Sequence, residues 1–306
     1  MKPSEQLEKV DVFDRYRPRL FGIAYRMLGT RDDAEDILQE TYLRLHSTDL
    51  STIDNPEAWL VTAATHLSID RLRKAYVQRE TYVGPWLPEP LIADPTNSPE
   101  MQAELASDVS LAFMVLLERL SPLERAIFLL HEVFDYAHSE IARIVAKSET
   151  AVRQIVSRAR DRVRSDRRRF RADEASRTEL IRKFVTAARA NDERTLMSIF
   201  ADDLALTSDG GGKVNAARRK VYGAKRIAHL FAITTAKLKG SHQVYLTMVN
   251  GEPGLVEFYD GILIAVTTFS IEAGRVTAFY RVMNPDKLAN ISLAEKEKWI
   301  DLSQNG

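Results

Sequence analysis

The residues best suited to chemistry lie between Ala137 and Arg164. A short apolar-patterned piece, "HSEIARIV", is followed by a break at Ala146-Lys147 and by a longer piece that opens with Ser148, Glu149 and Thr150. Ile141, Ala142, Ile144 and Val145 would face inward on the first, and Val152, Ile155 and Val156 on the second. This is helix-turn-helix spacing, in which the start of the second helix reaches base edges in the major groove. Glu149, Thr150, Arg153 and Gln154 sit at that start. A guanidinium bonds guanine through two atoms and a primary amide does the same for adenine. Arg158, Arg160, Arg162 and Arg164 follow, then Arg167 to Arg169, and suit phosphates. A merely solvated helix would balance these arginines with acids one turn away. Only Asp161 and Asp166 interrupt them.

Three weaker constellations stand elsewhere. "DRLRKA" ends in Arg71, Arg73 and Lys74, which fit either a polyanion or the negative end of a helix dipole. Trp59 and His66 share that segment, and the tryptophan fits a core position as well as a base-stacking one. The acids Asp32, Asp33, Glu35, Asp36 and Glu40 make a solvated face or a docking face for a basic partner. "TSDGGGKVN" (207–215) places three glycines between an acid and a lysine. A phosphate cradle would need a helix to follow at once, with Ser or Thr after the lysine. Val214 and Asn215 follow instead, so a loop that another part of the chain approaches closely fits better. Asp209, His229, His242 and Asp260 are acid/base candidates, but nothing in their spacing brings them together. No catalytic residue is therefore assigned, and the chain is not expected to be an enzyme.

The elements that must position these residues follow from pattern and punctuation. The front reads helical: "DRYRPRLFGIAYRML", then "TRDDAEDILQETYLRLH" after Gly29, then "PEAWLVTAATHLSIDRLRKAY" with Asn55 as cap. Five prolines between Val83 and Pro99 exclude a continuous helix and suggest a linker, in which Trp86 and Leu87 ask for a surface to dock on. "ASDVSLAFMVLLERL" and "SPLERAIFLLHEVF" precede the helix-turn-helix. From Thr178 come two helices, a strand "DLALTS", a helix "GAKRIAHLFAITTAKL", and then strands "HQVYLTMVN", "LVEFYDGILIAVTTFSI" and "VTAFYRVM" with turns at "GEPG" and "EAGR". Helices followed by a strand meander indicate an α+β domain.

Bulk properties limit the class. The 306 residues allow two or three domains. No cysteine is present, which excludes disulfides and thiolate metal sites and fits a reducing cytoplasm. No apolar run suggests a membrane span, and the N-terminus does not read as a signal peptide. The formal net charge is zero, but residues 1–118 carry −8, residues 119–171 carry +6 and the remainder +2. The basic block coincides with the helix-turn-helix, and a local patch matters more to a polyanion than the total.

"DAEDILQETYLRL", "NPEAWLVTAATHLSIDRLRK" and "LERLSPLERAIFLLHEVFDYAHSEIARIVAKSETAVRQIVSRARDRVR" together resemble regions two and four of an extracytoplasmic-function (ECF) RNA polymerase sigma factor. The chain then continues for over 130 residues in a stretch that resembles a SnoaL-like domain of the NTF2-like class. "WLPEP" (86–90), "DGGGK" (209–213) and "NPDKL" (284–288) resemble the sigma-J type, which carries this extension. The resemblance implies two all-α sigma domains, at 1–82 and 105–172, joined by a linker at 83–104. It implies an α+β cone with a curved, mainly antiparallel sheet at 178–290 and a tail at 291–306. It implies contact of Asp33, Glu35, Asp36, Gln39 and Glu40 with the β′ clamp helices of core polymerase, and of the region-four domain with the β flap. It implies −10 recognition by Asn55, Trp59, His66, Arg71, Arg73 and Lys74, and −35 recognition by Ser148, Glu149, Thr150, Arg153, Gln154, Ser157 and Arg158. Regulation in cis is expected through Trp86, Leu87, Pro88, Asp209, Gly210, Lys213, Asn284, Pro285 and Asp286, with Asp209 and Lys213 reaching the sigma core. Core polymerase and promoter DNA are the expected partners, with a small-molecule ligand in the cone as a further candidate. No cofactor, metal or membrane partner is expected. The alternative is a stand-alone, ligand-sensing helix-turn-helix regulator, which would need neither the acidic helix nor a second DNA-binding domain.

Overall fold

Caps and helix-compatible prolines set where the front helices begin. A computed structural model of the chain describes residues 3–92, 110–164, 174–236, 239–293 and 296–303. Helix α1 (Pro3–Leu28) starts well before Asp14, runs through Pro18, and ends at Gly29, whose φ of 82° is the left-handed stop that glycine supplies without strain. In α2 (Arg31–Ser47) the Thr30 side chain accepts the Asp33 amide; in α3 (Pro56–Arg79) Asn55 accepts the Ala58 amide. Such caps contribute about 1 kcal/mol each.

α4 (Leu111–Leu117) leads to α5 (Pro122–Glu132), which Ser121 and Glu124 open with a reciprocal capping box. α6 (His138–Ile144) and α7 (Glu149–Arg164) form the helix-turn-helix, with Ala146 in the turn at φ 51°. The chain divides into two compact units: α1–α3 and α5–α7 belong to the first, and Tyr82–Ile92 with everything from residue 174 on belongs to the second. In the first unit, helices far apart in the chain are joined by buried charge. The Arg125 guanidinium, fully enclosed, donates to the Arg26 carbonyl at 2.9 Å and to Glu118 at 2.6 Å. Arg79 donates to the other Glu118 oxygen at 2.6 Å and to the Leu28 carbonyl at 2.7 Å.

The second unit begins with α8 (Glu174–Arg189) and α9 (Glu193–Ile199), then β1 (Phe200–Asp209), β2 (Val221–Tyr222) and α10 (Ala224–Ala236). A meander follows of β3 (His242–Val249), β4 (Glu252–Tyr259), β5 (Ile262–Glu272) and β6 (Arg275–Val282), then α11 (Pro285–Leu288) and β7 (Ile300–Asp301). The sheet order is β2-β1-β6-β5-β4-β3-β7, antiparallel except for β1 beside β6. Phe184, Phe200, Phe231, Phe269 and Phe279 cluster under it with ring centroids 5.1 to 6.1 Å apart. Burying each contributes roughly 2–3 kcal/mol. The unit has an α+β architecture, with its helices packed against a mainly antiparallel sheet.

One expected turn moved and one turn was not expected. "GEPG" is not a turn: Val249 pairs with Glu252, so the loop is Asn250-Gly251, with φ of 51° and 72°. "LVEFYDGILIAVTTFSI" is not one strand: Tyr259 pairs with Ile262 around Asp260-Gly261, at 48° and 80°. Both are two-residue loops with positive φ at each position, the turn that matches strand twist and that Asn-Gly and Asp-Gly favour. The stretch after residue 290, expected as a tail, contributes β7 beside β3 and buries Trp299 and Leu302.

Candidate nucleic-acid interface and linker clasp

α7 carries a clean division of faces. Val152, Ile155, Val156, Ala159 and Val163 are buried, while Thr150, Arg153, Gln154, Ser157 and Arg158 are exposed. The exposed five recur at intervals of three and four, so they form one stripe. Ser148 caps the helix by accepting the Ala151 amide at 3.2 Å. Arg153 bonds Glu149 at 2.5 Å, an exposed pair that costs at most about 1 kcal/mol to exchange for a base. Arg160 instead pairs with Glu132 of α5, and Arg162 with Glu124 at 2.9 Å. These two tie α7 to α5 and are not free stripe residues. Arg167 to Arg169 and the Arg164 side chain lie outside the described residues.

The front candidates are placed as follows. Asn55 is the α3 cap and Trp59 is half-buried. His66 Nε2 lies 2.6 Å from the Ile144 carbonyl, to which it can only donate. Arg71 bridges Asp33 at 2.8 Å and Asp36 at 2.5 Å, so one residue assigned to DNA holds two assigned to polymerase. Arg73 pairs with Asp70, while Lys74 is exposed. Glu35 bonds Arg17 and Glu40 bonds Arg44, and Gln39 is exposed. Tyr136, between Arg19 and Glu57, has its phenol pushed up to about 12, chiefly by burial.

The densest polar site is in the second unit. Asp209, fully buried at the end of β1, receives the Tyr82 hydroxyl at 2.5 Å, the Leu87 amide at 2.8 Å, the Lys287 ammonium at 2.7 Å and the Gly211 amide at 3.1 Å. Lys287 also donates to the Leu87 carbonyl, and its ammonium lies 4.2 Å from the Trp86 ring centroid. Asn284 donates to the Tyr82 hydroxyl at 2.9 Å. Burial, with Asp209 alongside, pushes the Tyr82 phenol far above its ordinary range. Further along the segment, Asn250 accepts the Leu91 amide at 2.9 Å and donates its own amide to the Leu91 carbonyl at 2.7 Å; Ile92 then forms a single bridge to Val249. Residues 82–92 are thus a strap gripped at two points.

The predicted regulatory residues sort accordingly. Trp86, Leu87, Asp209 and Asn284 meet in the clasp; Pro88 is buried in the strap and Pro285 opens α11. Gly210 to Gly212 admit the close approach: a Cβ on Gly211 would collide with the Asn284 amide, and one on Gly212 would lie 3.0 Å from Val83. Lys213 and Asp286 pair with each other on the surface at 2.6 Å. Asp209 and Lys213 were expected to reach the sigma core; instead Asp209 grips the strap and Lys213 grips Asp286. Tyr82, Lys287, Leu91 and Asn250 were missed. The lysine of "NPDKL" and the acid of "DGGGK" each stood in a singled-out motif, but 78 residues separate them and no spacing joined them.

A cavity of about 470 Å³ opens in the same unit, lined by Phe184, Leu206, Leu230, Phe231, Leu255 and Met283 among others, with His242, Glu257 and Arg281 as its polar cluster. Burial pushes the Glu257 carboxyl up, but the Arg281 charge and bonds from His242 and Arg281 outweigh it and hold the group at about 2. Of the four acid/base candidates only His242 faces this space. Asp209 is in the clasp, His229 is exposed, and Asp260 accepts the Ser241 amide at a hairpin end. Among the described residues no cluster could hold a metal ion, and no described helix is long and apolar enough to cross a membrane.

Residues 12–76 match the family model for Sigma-70 region 2, and residues 110–163 that for Sigma-70, region 4. The chain is 35% identical over 301 residues to the ECF RNA polymerase sigma factor SigJ of Mycobacterium tuberculosis, covering 94% of this chain and 96% of the relative. It is 28% identical to the probable ECF RNA polymerase sigma factor SigI of the same species, covering 89% and 92%. The crystal structure of M. tuberculosis SigJ superposes with a TM-score of 0.75 at 34% identity, covering 93% of this chain and 99% of that one.

Proposed function

Because the chain belongs to the ECF family of RNA polymerase sigma factors, which direct promoter-specific transcription initiation, we infer that its C-terminal domain regulates that activity in cis by gripping the strap at 82–92. The observation that carries this reading is the full coordination of buried Asp209 by the strap and by Lys287. The strap immediately follows α3, the last helix of region two, and lies on the chain path to region four. A grip on it limits how far that path can rearrange. Relatives matched over nearly the whole chain are sigma factors, which leaves no support for a stand-alone regulator.

The assignments within the sigma regions rest on exposure and charge. The stripe Thr150, Arg153, Gln154, Ser157 and Arg158 would read the −35 element, with Ser148 and Glu149 at its start. Trp59, His66, Arg71, Arg73 and Lys74, with Asn55 before them, would serve the −10 element. Asp33, Glu35, Asp36, Gln39 and Glu40 would meet the clamp helices of core polymerase, exchanging their internal arginine partners for those of the polymerase. The largely apolar space in the cone would take a small-molecule ligand.

The test is transcription in vitro with core polymerase, comparing the whole chain with Asp209→Asn. Output that changes when the strap is released supports the reading. Equal output from both, with strap release verified by hydrogen exchange, refutes it.

A further inference from the structure

The polar cluster in the cone cavity is electrostatically closed. Glu257 accepts both terminal nitrogens of Arg281, one of them at 3.0 Å, and the Thr267 hydroxyl at 3.3 Å. The two buried charges therefore cancel each other. Arg189, the remaining charged residue on the lining, is exposed and has Asp301 as an electrostatic neighbour. A charged ligand would enter without a free counter-charge in the interior, at a large desolvation cost.

What the cluster does offer is one directional group. His242 Nε2 lies 3.3 Å from Glu257 Oε2. The carboxyl is held ionised and can only accept, so Nε2 carries the hydrogen. In the neutral ring Nδ1 is then an acceptor, and no described residue bonds it. A ligand hydroxyl is the complementary donor.

The cavity also adjoins the clasp. A second space of about 390 Å³ is bounded by Val83 and Gly84 of the strap. Ser208, Asn215, Ala216 and Ala217 line both spaces. Ser208 precedes Asp209 in β1, so a displacement of this shared lining acts on the residue that holds the strap.

We propose that the cone cavity binds a small uncharged molecule with an apolar body and one hydroxyl group accepted by His242, and that occupancy is transmitted to the strap through Ser208 and residues 215–217. The transmission half rests on the strap reading above; the binding half does not.

The probe is the neutral fluorophore N-phenyl-1-naphthylamine, titrated into the full chain and displaced by 2-naphthol or by naphthalene. Saturable fluorescence enhancement is expected, and it is lost in Thr234→Trp, where an exposed lining residue is enlarged into the space. 2-Naphthol should displace the probe at a roughly fivefold lower concentration than naphthalene, the factor for one net hydrogen bond. His242→Phe should remove that difference while naphthalene still binds. Absence of saturable binding, or equal displacement by the two compounds in the unaltered chain, overturns the site. With saturating 2-naphthol the Leu87 amide should change its hydrogen-exchange rate by about fivefold or more, the lower end of ordinary coupling between sites. Binding with unchanged exchange at Leu87 and Leu91 overturns the transmission. Failure of the strap reading itself shows elsewhere, in transcription by Asp209→Asn.

Discussion

Asp209→Asn changes one atom and should free the strap. The aspartate carboxylate accepts from Tyr82, Leu87, Lys287 and Gly211. An asparagine keeps one acceptor and turns the other into a donor, which must then face either the pair formed by Tyr82 and Gly211 or the pair formed by Leu87 and Lys287. Lys287, 8% exposed at its side chain, loses the buried carboxylate that faces it. Removing one partner of a buried pair costs about 3–5 kcal/mol. Two of the four donors belong to the strap, and Lys287 also holds the Leu87 carbonyl, so most of that cost falls on docking. If 3 kcal/mol of it does so, the detached population rises by roughly two orders of magnitude.

Hydrogen exchange at single amides measures this directly, because the Leu87 amide is itself bonded to Asp209. Its protection should fall about 100-fold, while amides paired between β4 and β5 keep theirs and so report an intact domain. Lys213→Ala, which removes only the exposed pair with Asp286, should change Leu87 by no more than a factor of about five. Leu87 exchange within threefold of the unaltered chain in Asp209→Asn would refute the clasp as the holding point. So would equal effects from the two substitutions.

Three further outcomes are expected. Arg153→Ala should cost roughly 1–3 kcal/mol at the preferred −35 sequence and relax base preference there, read from competition binding with substituted promoters. Glu118→Ala leaves Arg79 and the enclosed Arg125 without their shared partner and should cost about 3–5 kcal/mol in denaturant unfolding, whereas Glu118→Leu with Arg125→Met recovers much of it. Glu257 has a depressed folded-state value, so its stabilisation is fully present above the ordinary carboxyl range and is lost as pH falls from about 4.5 towards 2. The loss should reach roughly 3 kcal/mol, and Glu257→Gln should not show that dependence between pH 5 and 2.

Local signals were legible wherever one residue type has one use. Ser121-Pro122 with Glu124, Asn55-Pro56 and the break at Ala146 each located a helix boundary, because capping and left-handed turns act over four residues. The exposed polar stripe of α7 was legible for the same reason: period and charge coincide along one helix. The first hairpin loop was misplaced because Gly254 and Pro253 attracted the turn away from Asn250-Gly251, and both tolerate a strand here. The buried arginines at 26 and 125 read as ordinary surface residues of amphipathic helices. What encloses them is packing between helices far apart in sequence, as in the bond from Arg125 to the Arg26 carbonyl, and no local pattern carries that. The clasp was half legible. The motifs that build it were visible, but its central pairing joins Asp209 to Lys287 and to residues 82–87, separations that spacing arguments cannot reach.

The composition of the strap explains why side chains, more than a sheet edge, hold it. Pro85, Pro88 and Pro90 have no amide hydrogen, so residues 82–92 cannot offer the regular donors of a ladder. The two amides placed against the domain, Leu87 and Leu91, are met by the side chains of Asp209 and Asn250, and the matching carbonyls by Lys287 and the Asn250 amide. A ladder would spread docking energy over many equivalent backbone bonds and tolerate slippage by two residues. Here it is concentrated in three residues and one register, with an ion pair whose mispairing is costly. Concentration of that kind makes docking specific and also reversible. Displacing the Asp209 side chain alone removes the Leu87 and Tyr82 contacts together, while the backbone pairing of β1 with β6 can stay in place.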